Sequence, residues 1–175
     1  MPEVNLSNEQ YFAFRVAVFA MVFDEQGRVL LHKRAGTNFL PGYYDFPSGH
    51  VENESFTAAT VRELYEESGL TAHENDLELA YLGINVLDQS YINAVYRVQK
   101  WQGTPKIMEP HKCSEMGFFE LSALPAKLTL GVRLMAAQNF QTRPFGARFV
   151  DLADYQKIMN EPFALARNHT QDTNR

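Results

Sequence analysis

Arg62-Glu63-Leu64-Tyr65-Glu66-Glu67-Ser68-Gly69-Leu70 carries the most information in this chain. Glu63, Glu66 and Glu67 stand at i, i+3 and i+4, a spacing that on a helix brings three carboxylates to one face. The neighbouring residues predict that helix over 54–68. Ala58, Val61, Leu64 and Tyr65 recur every three or four positions as an apolar stripe, and Gly69 follows as a stop. Like charges so placed repel by about 0.2–0.5 kcal/mol per exposed pair. Glu66 and Glu67 also sit near the C-terminal end, where the helix dipole disfavours negative charge. Two arrangements relieve the strain. Either a hard cation such as Mg²⁺ or Mn²⁺ takes the carboxylate oxygens together with water and substrate phosphates, or the face is solvated and partly neutralised by Arg62. Spacing alone leaves both open.

Working outward, Pro47-Ser48-Gly49-His50-Val51 runs into the helix, and backbone amides near a helix N-terminus suit phosphate. Residues 35–50 hold Gly36, Gly42, Gly49, Pro41 and Pro47 with Tyr43, Tyr44 and Phe46 between them, which predicts a loop with aromatic anchors. Tyr11–Asp24, where Arg15 is the only charge before Asp24, predicts a long buried strand. Gln26-Gly27 then turns the chain into a second strand, Val29–Arg34, as a hairpin. Downstream, Leu77–Asp88 and Tyr91–Trp101 read as strands joined by a short turn, and Met116–Leu121 as a short strand. Leu128–Phe140 and Asp151–Asn160 read as helices. Residues 1–10 form a polar, flexible lead-in, and residues 168–175 read as disordered. Mixed strands with two or three helices imply one α/β sandwich domain.

Composition narrows the function. The chain has 175 residues with 45% hydrophobic and 21% charged, close to the globular average. Sixteen basic and 21 acidic residues leave a net charge of −5, which argues against a broad footprint on duplex nucleic acid or an anionic membrane. The lone Cys113 allows no intramolecular disulfide and fits a reducing compartment; without an activating partner it reads as a packing residue. No apolar run approaches the roughly 20 residues of a membrane span. No basic-then-apolar leader precedes the domain, so a cytoplasmic location is expected.

The segment Gly49-His50-Val51-Glu52-Asn53-Glu54, followed by Arg62-Glu63-Leu64-x-Glu66-Glu67-x-Gly69-Leu70, resembles the Nudix box. That box marks enzymes that cleave nucleoside diphosphates linked to another moiety. Its second half matches at all seven defined positions. The first half departs: four residues separate Gly49 from Glu54 where the family has five. Counting from Ser48 restores the spacing but loses the glycine. Asn53 stands where many members carry glycine. Tyr44-Asp45-Phe46-Pro47 resembles the family's approach to the box. Glu109-Pro110-His111-Lys112-Cys113, continued by Phe118–Leu121 and Leu124-Pro125, resembles a segment of the family's nucleoside-triphosphate diphosphatases. The similarity covers roughly residues 13–140.

The resemblance implies an α/β/α sandwich with a mixed sheet over 11–140, followed by an extension over 141–175. It implies Glu63, Glu66 and Glu67 as ligands of Mg²⁺ (or Mn²⁺), and Arg62 with these glutamates as the catalytic set. Glu54 would steady them. Lys33, Arg34, Gly49 and Glu109 would contact substrate, and a homodimer is the family-level expectation. The substrate is expected to be a nucleoside triphosphate cleaved to monophosphate and pyrophosphate. No proline occurs between Pro47 and Pro105, which disfavours the ADP-ribose branch. Leu87 and Asp88 occupy the region where the dinucleoside polyphosphate branch carries a tyrosine. A non-catalytic Nudix-fold module that binds a nucleotide or a protein stays open. An isomerase of the isopentenyl diphosphate type would need a cysteine before the box, and Cys113 lies after it.

Overall fold

Alternate residues of the first strand, β1 (Arg15–Val22), are covered on both faces: Met21 and Phe19 on one, Val18, Ala20 and Val22 on the other. A strand buried on both sides must sit inside a sheet with helices on each face, and the computed structural model has that arrangement. It describes residues 13–86, 89–142 and 148–163. The expected lead-in at 1–10, Leu87 and Asp88, and the expected disorder at 168–175 lie outside the described residues.

After β1 come β2 (Val29–Arg34), β3 (Tyr44–Asp45), β4 (Ser48–His50), α1 (Phe56–Ser68), β5 (Leu77–Val86), β6 (Ser90–Val98) and β7 (Cys113–Phe119). α2 (Leu130–Ala137), β8 (Arg148–Asp151) and α3 (Leu152–Asn160) complete the order. A mixed five-stranded sheet runs β4-β1-β6-β5-β8, and a three-stranded sheet runs β3-β2-β7. β1 is parallel to β6 and β5 to β8, whereas β4–β1 and β5–β6 are antiparallel. α1 packs on the Val18 and Ala94 side through Ala59, with Leu64 and Leu70 in the adjoining cluster. On the opposite side Leu130, Leu134 and Phe140 meet Met21, Tyr81 and Val95. The α/β/α sandwich is the one the sequence implied. Among the described residues no helix is long and apolar enough to cross a membrane.

Several elements differ from expectation. The β1–β2 hairpin shrinks to its turn, closed by Asp24 and Arg28 at 2.6 Å and by the single pair Phe23↔Val29. Both edges of β1 are taken by β4 and β6, so β2 departs into the second sheet. The apolar stripe on α1 is rotated: Ala59, Thr60, Leu64 and Ser68 are buried and Tyr65 is exposed. That rotation turns Glu63 and Glu67 toward β4. α1 starts later than expected, with Ser55 as its cap accepting from the Ala58 amide at 3.0 Å. It ends as expected at Gly69, whose φ of 71° suits glycine. α2 is shorter than 128–140 because Asn139 and Phe140 take positive φ, which swings Phe140 back into the core. β7 begins at Cys113, buried as expected, after a bulge between Lys33 and Arg34. The 35–50 loop contains β3 and β4, too short to show a periodicity.

Candidate active site

The site begins with β4, which pairs with β1 through Phe19↔Ser48 and Ala17↔His50 and presents its backbone to α1. The Ser48 amide donates to Glu67 Oε2 at 2.8 Å. Gly49 lies under Glu63 so closely that a Cβ there would overlap the carboxylate. A helix and an edge strand thus hold two glutamates, 63 and 67, at the mouth of a cleft lined also by His32, Arg34, Asp45 and Lys112.

Arg62 organises the remaining carboxylates. Its Nη2 donates to Glu54 Oε1 at 2.6 Å and to the His50 carbonyl at 3.0 Å, and its Nη1 donates to Glu63 Oε1 at 2.7 Å and Glu66 Oε2 at 3.2 Å. The bonds from Arg62 hold the Glu54 carboxyl below its ordinary range. The loop into α1 therefore still delivers Glu54 to Arg62. Five residues, Gly49 to Asn53, separate Ser48 from Glu54. Asn53 is not among the positive-φ residues, which explains why no glycine is needed there.

Burial sets the electrostatics. It pushes the Glu67 carboxyl up to about 8, helped by the charges of Glu63, Asp45 and Glu109 and opposed by the Ser48 amide. Burial also raises Glu63, against the pull of Arg62. His32, 3% exposed, is driven down to about 4 by burial and by Arg34, and its Nδ1 lies 3.3 Å from Glu67 Oε2. Burial lifts Asp45 to about 6 against Arg34 and against bonds from Thr129 Oγ1 (2.8 Å) and the Phe46 amide (2.9 Å). Two carboxylates whose charge burial makes costly are a donor set that a divalent cation would relieve. Among the described residues no three His, Cys, Asp or Glu side chains converge as a ready-made cage.

The expected site residues divide. Glu63, Glu67, Gly49 and Arg34 line the cleft together. Arg34 donates from Nε to the Phe39 carbonyl at 3.0 Å and sits 3.5 Å from Asp45. Glu66 stays at the rim, its side chain half exposed and joined to Glu63 through Arg62. Lys33 does not line the cleft; alternation along β2 sends it to the other side, over the Tyr44 ring and 3.8 Å from Glu115. Glu109 is near enough to act on Glu67 but spends its carboxylate on Lys112, at 2.7 and 3.0 Å. Lys112, His32, Asp45 and Thr129 were not singled out from sequence. Lys112 and Asp45 had a signal, standing inside the quoted Glu109–Cys113 and Tyr44–Pro47 segments; His32 and Thr129 are brought in by tertiary packing.

Residues 13–138 match the family model described as NUDIX domain. The chain belongs to the Nudix family. A MutT NUDIX hydrolase from Burkholderia pseudomallei is 28% identical, with a TM-score of 0.65 over 70% of this chain and 95% of that one. A NUDIX hydrolase from Nitrosomonas europaea is 21% identical, with a TM-score of 0.56 and 81% of each chain covered, a likeness of fold. So is that of the NUDIX domain of Shewanella oneidensis NrtR, solved with ADP ribose, at 19% identity and TM-score 0.54 over 63% of this chain and 75% of that one. The protein is a Nudix hydrolase, and the Arg62–Glu67 cluster lies within the matched residues.

Proposed function

We propose that this Nudix hydrolase is Mg²⁺-dependent and converts a nucleoside triphosphate to the monophosphate and pyrophosphate. One observation supports the reading above the others. The cleft that carries Glu63 and Glu67 continues over the inner face of the five-stranded sheet into a cavity of about 940 Å³, ample for a nucleoside beside its phosphates.

Glu63 and Glu67 would hold Mg²⁺, with Glu66 at the rim. The cation supplies charge neutralisation at the phosphates and acidifies water. The chain's own groups do the rest. Arg62 fixes Glu63 and Glu66 in place and ties them to Glu54. Arg34 and Lys112 bring positive charge into the same cleft for the phosphate oxygens. Water attacks phosphorus, a new P–O bond forms, and the bond to the bridging oxygen between the α and β phosphates breaks. A cleft carboxylate takes the proton from water, and pyrophosphate leaves with the bridging oxygen.

Product analysis tests this. With Mg²⁺ present, the panel comprises dNTPs, oxidised dNTPs, ADP-ribose, dinucleoside polyphosphates, nucleotide sugars and coenzyme A. Monophosphate and pyrophosphate from a triphosphate, lost on adding chelator, is the expected result. Turnover undiminished in chelator, or turnover confined to ADP-ribose, would overturn it.

A further inference from the structure

Away from the carboxylates, the cleft floor carries a polar group that nothing in the hydrolytic step uses. Asn93 sits in the middle of β6, on the face that points into the cavity with Tyr91 and Val95. Its Nδ2 is sealed from solvent and has no hydrogen-bond partner among the described residues. A buried amide donor left unmade costs about 1–3 kcal/mol, and turning the amide end for end would bring it to the part-exposed side of Asn93 that opens on the cavity, where a ligand acceptor can meet it.

The surroundings of Asn93 are shaped for such a contact. Its cross-strand neighbours are Ala17 on β1 and Gly83 on β5, the smallest side chain and none at all. Paired residues on adjacent strands stand about 5 Å apart, so the amide lies in a depression that larger neighbours would fill. Gly83 has a second task. A Cβ there would overlap the Tyr81 ring, which lies across the glycine beside Asn93. Facing this floor are Leu130, Gly131 and Leu134 of α2, with Phe19 beside them. The result is a slot with apolar walls for a flat ring, with the Asn93 amide at its base and the Tyr81 hydroxyl over Gly83 beside it.

The register also places the slot relative to the chemistry. His50, Ala17, Asn93 and Gly83 form one row on the α2 face of the sheet, and Gly49, next to His50, turns to the α1 face, where Glu63 lies against it. Asn93 is therefore two strand spacings, about 10 Å, from β4. The cleft passes round the edge strand β4 from the carboxylates on the α1 side to the slot on the α2 side, so a sugar would cross that edge between the diphosphate and the ring.

We propose that the Asn93 side-chain amide, set between Ala17 and Gly83, donates to a carbonyl or ring-nitrogen acceptor on the edge of the substrate's nucleobase and so determines base preference. This rests on the reading of the cleft as a nucleoside triphosphate site. Asn93 is a specificity residue and takes no part in bond cleavage.

The test measures binding without chemistry. Affinities of the four deoxynucleoside monophosphates and of base-free deoxyribose 5-phosphate are measured by calorimetry, without metal, for the wild type, Asn93→Leu and Asn93→Asp. Wild type is expected to bind at least one monophosphate about tenfold or more tightly than deoxyribose 5-phosphate. In Asn93→Leu that margin should fall to about threefold or less, with deoxyribose 5-phosphate binding unchanged. Asn93→Asp, which replaces the donor by an acceptor, should lose the same margin; it decides the matter if the leucine variant does not fold. A margin retained in the folded variants, or no monophosphate binding better than the sugar phosphate, overturns the proposal. Triphosphate turnover is scored separately. A base margin lost in the variants with no triphosphate hydrolysed would sink the proposed reaction and leave the Asn93 assignment standing.

Discussion

Two arginines, one on each side of the five-stranded sheet, use the same guanidinium chemistry to opposite ends. Arg62 on α1 is part-exposed, 27% by side chain, and gathers Glu54, Glu63, Glu66 and the His50 carbonyl. Arg133 on α2 is 8% exposed and donates to three backbone carbonyls: Leu128 (3.2 Å), Ile158 (2.9 Å) and Glu161 (2.9 Å). The last two belong to the C-terminal end of α3, where carbonyls lack helical partners and a cation is favoured. Arg133 fastens α3 to α2, whereas Arg62 holds like charges in a cluster that would otherwise disperse. One helix is organised around reactivity and the other around cohesion.

The largest expected effect lies on α1. Glu67→Gln should lower kcat/KM by about a thousandfold, since it removes a proposed cation ligand while keeping its shape. The same change should raise the melting temperature of the metal-free protein at pH 8. Glu67 in the fold binds its proton up to about 8 instead of the ordinary 4.5, so its stabilising contribution is full below 4.5 and lost as pH rises through 8. His32 acts in the opposite sense, and only between about 4 and 6.5, while Asp45 acts only up to about 6. Between pH 6.5 and 8 the decline should therefore belong chiefly to Glu67, with Glu63, also raised by burial, behind it, and should flatten in the glutamine variant. Calorimetric melts across that window check it; an unchanged slope would refute the assignment.

Arg133→Ala should leave turnover per folded molecule unchanged and cost about 3 kcal/mol, because it strips partners from three carbonyls, two of them at a helix end. In a chain of this size that is a fall of roughly 6–12 °C in melting temperature. A melt unchanged within a degree or two would remove the contrast between the helices. Arg62→Lys is smaller: about a tenfold drop in kcat/KM, or ~1.4 kcal/mol, because a lysine cannot serve four acceptors from one plane. Its melting temperature should barely move. Smallest is Lys33→Ala, expected within about twofold of wild type in steady-state kinetics, since Lys33 faces Glu115 on the far side of β2.

Sequence carried the α1 side of this contrast much further than the α2 side. Arg62, Glu63, Glu66 and Glu67 lie within one local run whose spacing is its meaning, and the Gly69 stop is a local backbone rule. The orientation of that helix was harder. Leu64 and Tyr65 are both apolar, and only packing against Ala20, Val22 and Val98 decides that Leu64 is buried while Tyr65 faces out. On the α2 side, Thr129 was expected inside the helix. It stands instead at the N-cap and spends its hydroxyl on Asp45, 84 positions away in sequence. The same holds for His32 with Glu67, and for Asn93 between Ala17 and Gly83. These juxtapositions come from β1 pairing with β4 and β6 while β2 leaves for another sheet. A local hairpin pattern cannot foretell that parting.

Gly49 has a consequence for what variation this protein can accept. Its backbone is not in the left-handed region, so ordinary conformational preference would admit other residues there. The obstacle is the Glu63 carboxylate lying where a Cβ would be. In a saturation library selected for activity, position 49 should therefore reject even alanine, while Ser48 beside it, whose contribution to Glu67 is a backbone amide, should accept small replacements. Tolerance at these two adjacent sites is set by the distance to an anion above them, and neither position would reveal this from its torsion angles.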